Sequence, residues 1–347
     1  MASFAPLNGL ALSGGGARAA YQAGVLKAAA EMDRNARRSP FPIISAVSGG
    51  SMGATILAAG ANDFHAAVDA LTRFWTSCSC RNLYGGLPVS RLGVAWRILC
   101  GAAGDGWLDA RSARALFAAQ ADFEGIAAAI EAGTLHALSL GAYGYASQQT
   151  VHFFQGRGDL EPWRDGPIVS AHVRLGAEHL AAAFAIPLVF PPVKVHREYF
   201  CDAAAAGRPE AAALRLGAGR ILSIEADLPV STAQRRNTRL QSGMLQAAAH
   251  AVASGFGCSG GDVQAPTAAC ETIRFVPSVP LPQLARSHWS CVPDTLRKSL
   301  ERIEEETAFQ IASLLLFEQP FLEALLDLGY RDGVARRDDL QKFLAQP

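Results

Sequence analysis

Gly9-Leu10-Ala11-Leu12-Ser13-Gly14-Gly15-Gly16-Ala17-Arg18, and a little further on Ile43-Ile44-Ser45-Ala46-Val47-Ser48-Gly49-Gly50-Ser51-Met52-Gly53, decide how this chain folds. Each begins as a short apolar run, passes through glycine and continues into an alanine-rich stretch. That is the order strand, tight turn, helix, and two such units in succession predict strands joined by crossover helices in an α/β sheet. The first turn offers bare backbone N–H groups, and the second presents a serine hydroxyl.

The serine turn is a Gly-x-Ser-x-Gly pattern centred on Ser51. In such an elbow the serine sits on a sharp strand-to-helix bend that exposes its hydroxyl. Gly49 and Gly53 leave room for unusual backbone angles and close packing. The glycines Gly14, Gly15 and Gly16 have no Cβ, so their N–H groups can point at a substrate oxygen, and one such donor is worth roughly 3 kcal/mol of transition-state stabilisation. Phosphate or dinucleotide binding is the competing use of a glycine turn. It fits poorly, because the sixth position of Gly-x-Gly-x-x-Gly is Ala19 and the following strand ends in Ser48 instead of an acid. No Gly-Lys-Ser/Thr occurs anywhere in the chain.

A nucleophilic serine needs a base. Among eight histidines the late candidates for a Ser-His-Asp triad are His250 and His288, and neither has a recognisable setting. Asp202 is the better partner. It ends the short strand Glu198-Tyr199-Phe200-Cys201 and opens a run of small residues. Upstream lies the proline-bracketed Ala182-Ala183-Phe184-Ala185-Ile186-Pro187-Leu188-Val189-Phe190-Pro191-Pro192.

In this order the motifs resemble the patatin-like phospholipase family, from about Leu7 to about Asp332. The family's oxyanion loop resembles Gly14 to Arg18, its nucleophile turn Gly49 to Gly53 with Ala54 after it, and its Ala-Ser-x-Ala-x-Pro-x-x-Phe-x-Pro stretch Ala182 to Pro192. Its Asp-Gly-Gly/Ala motif falls on Asp202, and Leu214 to Leu222 is similar to its return from helix to strand. The resemblance implies a three-layer α/β/α fold with a mostly parallel central sheet and a helical C-terminal extension. It implies a serine acyl hydrolase acting on lipid esters through a Ser51–Asp202 dyad, with Gly14, Gly15, Gly16 and Arg18 forming or supporting the oxyanion hole, and no cofactor or metal. Three departures from the family pattern stand out: Ala203-Ala204 follow the acid, Ala183 replaces a serine, and Ala19 follows Arg18. A positive φ at Ala203 would cost about 1–2 kcal/mol. The alternatives are a weak or inactive relative that binds lipid or a partner, and a Ser-His-Asp esterase.

Composition fits this class. Of 347 residues 50% are hydrophobic, enough for a large core. Thirty-one basic and thirty-one acidic residues give a net charge of zero, against a nucleic-acid binder and against any global attraction to anionic membranes. Membrane-surface contact then needs a local patch. No apolar run approaches the roughly 20 residues of a membrane span. The first six residues lack the basic start of a signal peptide, and the seven cysteines are scattered, which predicts reduced thiols in a cytoplasmic protein. Oligomeric state is not legible.

The expected elements are strands at 7–12, 43–48, 135–142, 150–154, 220–226 and 272–276. Helices are expected at 17–33, 52–59 and after a cap at Asn62 or Asp63. The expected division is a catalytic core over 7–227, remaining core elements over 228–290 with a Gly-rich loop at 254–266, and a helical region of two or three helices over 291–347. Residues 81–107 suit either a lid or a buried helix.

Overall fold

Strand β1 (Leu7–Leu12) is buried from Asn8 onward, on both of its faces. A strand of that kind belongs inside a parallel sheet covered on two sides. Its neighbours are β2 (Ile43–Val47) and β9 (Ala218–Ile224), both parallel to it. Beyond β9 lies β10 (Glu271–Phe275), and beyond β2 lies β3 (Ala137–Gly144), again parallel. Past β3 the sheet becomes mixed. β4 (Thr150–Gly156) is antiparallel to β3, β6 (Ile168–His172) is parallel to β4, and β5 (Arg164–Asp165) is antiparallel to β6. The order is β10-β9-β1-β2-β3-β4-β6-β5, and the hairpin of β7 (Val193–Val195) and β8 (Glu198–Asp202) joins through β8 to β3. The computed structural model describes residues 7–33, 37–84, 110–187, 189–203, 207–226 and 270–345. The expected loop at 254–266, His250, Ala204 and most of the 81–107 segment lie outside them.

The helices are α1 (Ala20–Met32), α2 (Gly50–Ala59), α3 (Phe64–Ser77), α4 (Cys80–Tyr84), α5 (Ala110–Gln120), α6 (Phe123–Glu131), α7 (Ala177–Phe184) and α8 (Pro209–Arg215), then α9 (Leu281–Ser287), α10 (Asp294–Leu300), α11 (Glu305–Leu315), α12 (Gln319–Ala335) and α13 (Arg337–Leu344). Two boundaries differ from the sequence reading in ways that matter. A 3-10 turn over Gly16–Ala19 precedes α1, and α2 begins at Gly50, two residues earlier than expected. Asp63 caps α3, its carboxylate accepting the Ala66 N–H at 3.0 Å. Four described helices, not two or three, follow Pro293.

The sheet separates two apolar layers. Leu10, Leu12, Ile44, Ala46, Leu138, Leu140 and Leu222 belong to the large one. Ala11, Ile43, Ala137, Phe154 and Ile221 form the small one with Ala213 and Leu216 at α8. The C-terminal helices share the large layer, since the same buried cluster runs from Leu10 to Phe343. Their closest contact is backbone on backbone. A Cβ on Gly329 of α12 would stand 2.0 Å from the Tyr21 carbonyl oxygen of α1. The Tyr21 hydroxyl donates to Asp332 across the same contact, at 3.1 Å.

His152 of β4 is fully buried in the small layer's side of the sheet. Its Nδ1 lies 3.1 Å from the Ser139 hydroxyl, and its Nε2 has no partner among the described residues. Burial pushes its pKa down to about 4.

Two outcomes are expected. Gly329→Val drives side-chain atoms into α1, and urea unfolding will show a loss of about 3 kcal/mol, the upper end for overpacking. His152 stays neutral in the fold while the unfolded chain takes up a proton as pH falls through about 6.5. Stability is therefore complete above that pH and falls by about 2 kcal/mol between pH 7 and pH 5. Urea midpoints at the two pH values check this, and His152→Gln will flatten that part of the slope.

Candidate active site

Strands β2 and β8 lie on the same side of β3 and point at each other. β2 runs parallel to β3 and ends with Val47 opposite Gly141. β8 runs antiparallel and ends with Asp202 opposite Ala142. The two strand ends therefore meet one residue apart, and the first residue past β2 is Ser48. Its hydroxyl donates to Asp202 Oδ2. Both side chains are buried, Ser48 completely and Asp202 to 7% exposure.

Ser48 takes a φ of 52°, one of three non-glycine residues with positive φ among those described. That conformation costs an L-residue about 1–2 kcal/mol, and such strain gathers at functional turns. It is the bend between β2 and α2. Asp202 is held from the other direction, because its N–H donates to the Ala185 carbonyl at 2.9 Å. Ala185 lies in the proline-bracketed segment read from the sequence, which thus fixes the height of the acid.

The expected Ser51–Asp202 contact is not the one that forms. Since α2 starts at Gly50, Ser51 is already inside its first turn, with its N–H donating to the Ser48 carbonyl at 2.9 Å. The Ser51 hydroxyl is fully buried and has no hydrogen-bond partner among the described residues. The strand–turn–helix frame is therefore Ala46-Val47-Ser48-Gly49-Gly50, three residues upstream of the Gly-x-Ser-x-Gly match. A Cβ on Gly53 would make only ordinary contacts, the nearest at 3.5 Å, so this position imposes no demand for glycine. The bend directly follows the apolar run Ile43–Val47, and which serine reaches the acid is set by the register of β2 and β8 along β3.

Gly49 does require glycine. A Cβ there would lie 2.6 Å from the Gly16 carbonyl oxygen and 2.8 Å from the Gly16 nitrogen. The start of α2 thus rests on the Gly14–Gly16 turn, backbone to backbone. The N–H groups of Gly14, Gly15 and Gly49 donate to no described residue. The turn is fixed at its other end by Ser13, whose hydroxyl accepts the Ala226 N–H at 2.8 Å, and by Gln22, whose amide donates to the Ser13 carbonyl at 2.9 Å.

Arg18 points away from this opening. Only 1% of it is exposed, and its Nε donates to the Ser313 hydroxyl at 2.8 Å. Its Nη2 donates to the Gln310 carbonyl and side-chain oxygen, both at 3.1 Å. A Cβ on Gly16 would be 2.3 Å from the Leu314 carbonyl oxygen. Helix α11 therefore backs the glycine turn, and Arg18 ties the two together.

The departures from the family pattern leave the frame intact. Ala203 has no positive φ, so the expected strain is absent; its carbonyl accepts the Gly207 N–H at 2.5 Å. Ala19 is helical at φ −63° and ψ −13°, and Ala183 is fully buried in α7. His288, one candidate third member, places Nδ1 2.8 Å from the Leu284 carbonyl at the end of α9.

Among solved structures, human GIVD cytosolic phospholipase A2, seen in complex with methyl gamma-linolenyl fluorophosphonate, is similar at 15% identity and a TM-score of 0.42. The match covers 99% of this chain and 59% of the human one, so this chain spans about three-fifths of that protein's length. VipD from Legionella pneumophila is similar at 12% identity and a TM-score of 0.35, over 89% of this chain and 67% of VipD. No curated protein matches the sequence. The patatin-like phospholipase family matches residues 10–214, a span that runs from β1 through the glycine turn, Ser48 and Asp202 to α8. With more than half of its length accounted for in this way, the chain belongs to the patatin-like phospholipase family.

Proposed function

We propose that this protein is a serine acyl hydrolase that cleaves lipid acyl esters, with Ser48 as nucleophile and Asp202 as its base. The observation that carries the reading is the hydrogen bond from the Ser48 hydroxyl to Asp202 at a strained strand-to-helix bend. A hydroxyl already donating to a buried carboxylate is aligned to lose its proton as it attacks.

The steps use only this chain's groups and water. Ser48 Oγ bonds to the ester carbonyl carbon while its proton passes to Asp202. The carbonyl oxygen becomes an oxyanion, facing the N–H groups of Gly49 and of the Gly14–Gly15 turn, which donate to no described residue, at the positive end of α2. Collapse breaks the ester C–O bond, and the leaving alcohol takes the proton from Asp202. Water then repeats the sequence on the acyl-serine and releases the fatty acid. Two of these three donors, at roughly 3 kcal/mol each, would already supply much of the stabilisation, which suits a dyad whose base is a carboxylate.

Fluorophosphonate labelling and turnover of a short p-nitrophenyl ester test the assignment. Ser48→Ala will abolish labelling, and Asp202→Asn will lower kcat on the order of a thousandfold. Ser51→Ala will keep labelling and most turnover. The opposite pattern, with label lost in Ser51→Ala and kept in Ser48→Ala, would return the nucleophile to Ser51. A folded wild type that neither labels nor turns over would favour a lipid- or partner-binding relative.

Arg18 has a separate expectation. Arg18→Lys keeps the charge but loses the fork that reaches both Ser313 and Gln310. The loop then loosens, and kcat will fall about tenfold with KM little changed, because only the oxyanion geometry is affected.

A further inference from the structure

We infer that the rim formed by the β7–β8 hairpin and the β3–β4 turn is the surface by which this protein docks on an anionic lipid–water interface; this rests on the lipid-ester reading above. The rim follows from the register that builds the dyad. β8 carries Asp202 at one end and climbs away from it to Glu198, four residues or roughly 13 Å at the usual rise per residue. The turn beyond holds His196 and Arg197, with His196 at a φ of 53°. The hairpin therefore stands above the dyad, at the edge of the sheet where the parallel strands end.

Two contacts join the hairpin to the β3–β4 turn. The Tyr145 N–H donates to the Tyr199 carbonyl at 3.0 Å, and the Ser147 N–H to Glu198 Oε1 at 2.7 Å. Only four large apolar or aromatic side chains are exposed among the described residues, and two of them, Tyr145 at 46% and Tyr199 at 53%, sit side by side here. Lys194 lies directly opposite Tyr199 in the hairpin register. Lys194 and Arg197 are exposed, and neither makes an ion pair among the described residues, while the nearby Glu198 carboxylate is occupied by Ser147.

Exposed tyrosines and lysines are ordinary when scattered. Here two aromatic rings and two cations with no ion pair among the described residues share one raised edge. Tyrosine prefers the boundary where one end is apolar and the other wet, and basic side chains near it are drawn to anionic headgroups. With a net charge of zero the molecule as a whole supplies no such attraction, so a local patch must. No described helix is long and apolar enough to cross a membrane. Seated on this rim, the dyad would open towards the lipid.

The test is vesicle co-sedimentation of the full chain with phosphatidylcholine alone and with phosphatidylglycerol added, beside turnover of a soluble p-nitrophenyl ester. Wild type will bind the anionic vesicles more tightly, and salt will weaken that binding. Lys194→Glu with Arg197→Glu will lower affinity for anionic vesicles about tenfold or more, and Tyr199→Ser will lower it on both compositions. Neither will change soluble-ester turnover by more than about twofold. Variants that sediment as wild type does, or a wild type that hydrolyses the soluble ester and binds neither vesicle, would overturn the docking surface. Loss of all ester hydrolysis in wild type would instead overturn the catalytic reading, and vesicle binding is scored separately from it.

Discussion

The arrangement depends on one place where two backbones touch, the contact of Gly49 with Gly16. Neither residue has a side chain to hold the segments apart, so the start of α2 settles on the turn after β1. Any Cβ at Gly49 would sit within 2.8 Å of backbone atoms of Gly16. The contact sets the start of α2 directly against the glycine turn.

The bend that makes the contact possible is strained. Ser48 sits in the left-handed region, and the hydroxyl of Ser51 is buried without a partner among the described residues, a cost of about 1–3 kcal/mol for an unsatisfied group. These local penalties persist because β1, β2, β3 and β9 are buried on both faces and fix both ends of the turn. The hydrogen bond from Ser48 to Asp202 lies where β2 and β8 meet, so it is a consequence of register and not of loop choice. A shift of one residue in either strand would separate the two groups and turn their side chains to opposite faces.

The C-terminal helices take part in the site from a distance. The family match ends at residue 214, yet Ser313, Gln310 and the Leu314 carbonyl of α11 grip Arg18 and Gly16. Helix α12 lies against α1 through glycine on one side and through Tyr21 and Asp332 on the other. The glycine turn is thus compressed between α2 in front and α11 behind. Its backing comes from Ser313, 295 positions away from Arg18 in sequence.

Much of the fold was legible in the residues themselves. Apolar runs ending in glycine predicted β1 and β2 to within a residue, alternation predicted the β3–β4 pair, and Asp63 announced α3, because each of these is a local property of backbone and solvent. Asp202 was legible as an acid at a strand end. The identity of its partner was not. Matching Gly-x-Ser-x-Gly selected Ser51, whereas the register of β2 and β8 along β3 delivers Ser48, and no local pattern encodes which strand ends meet. The anchorage of Arg18 on α11 and the raised rim of Tyr145 and Tyr199 were hidden for the same reason. The sequence by itself determined most of the central elements, the glycine turn and the place of Asp202 at a strand end; tertiary structure decided which serine faces that acid, because pairing across a sheet is set by contacts between segments far apart in the chain.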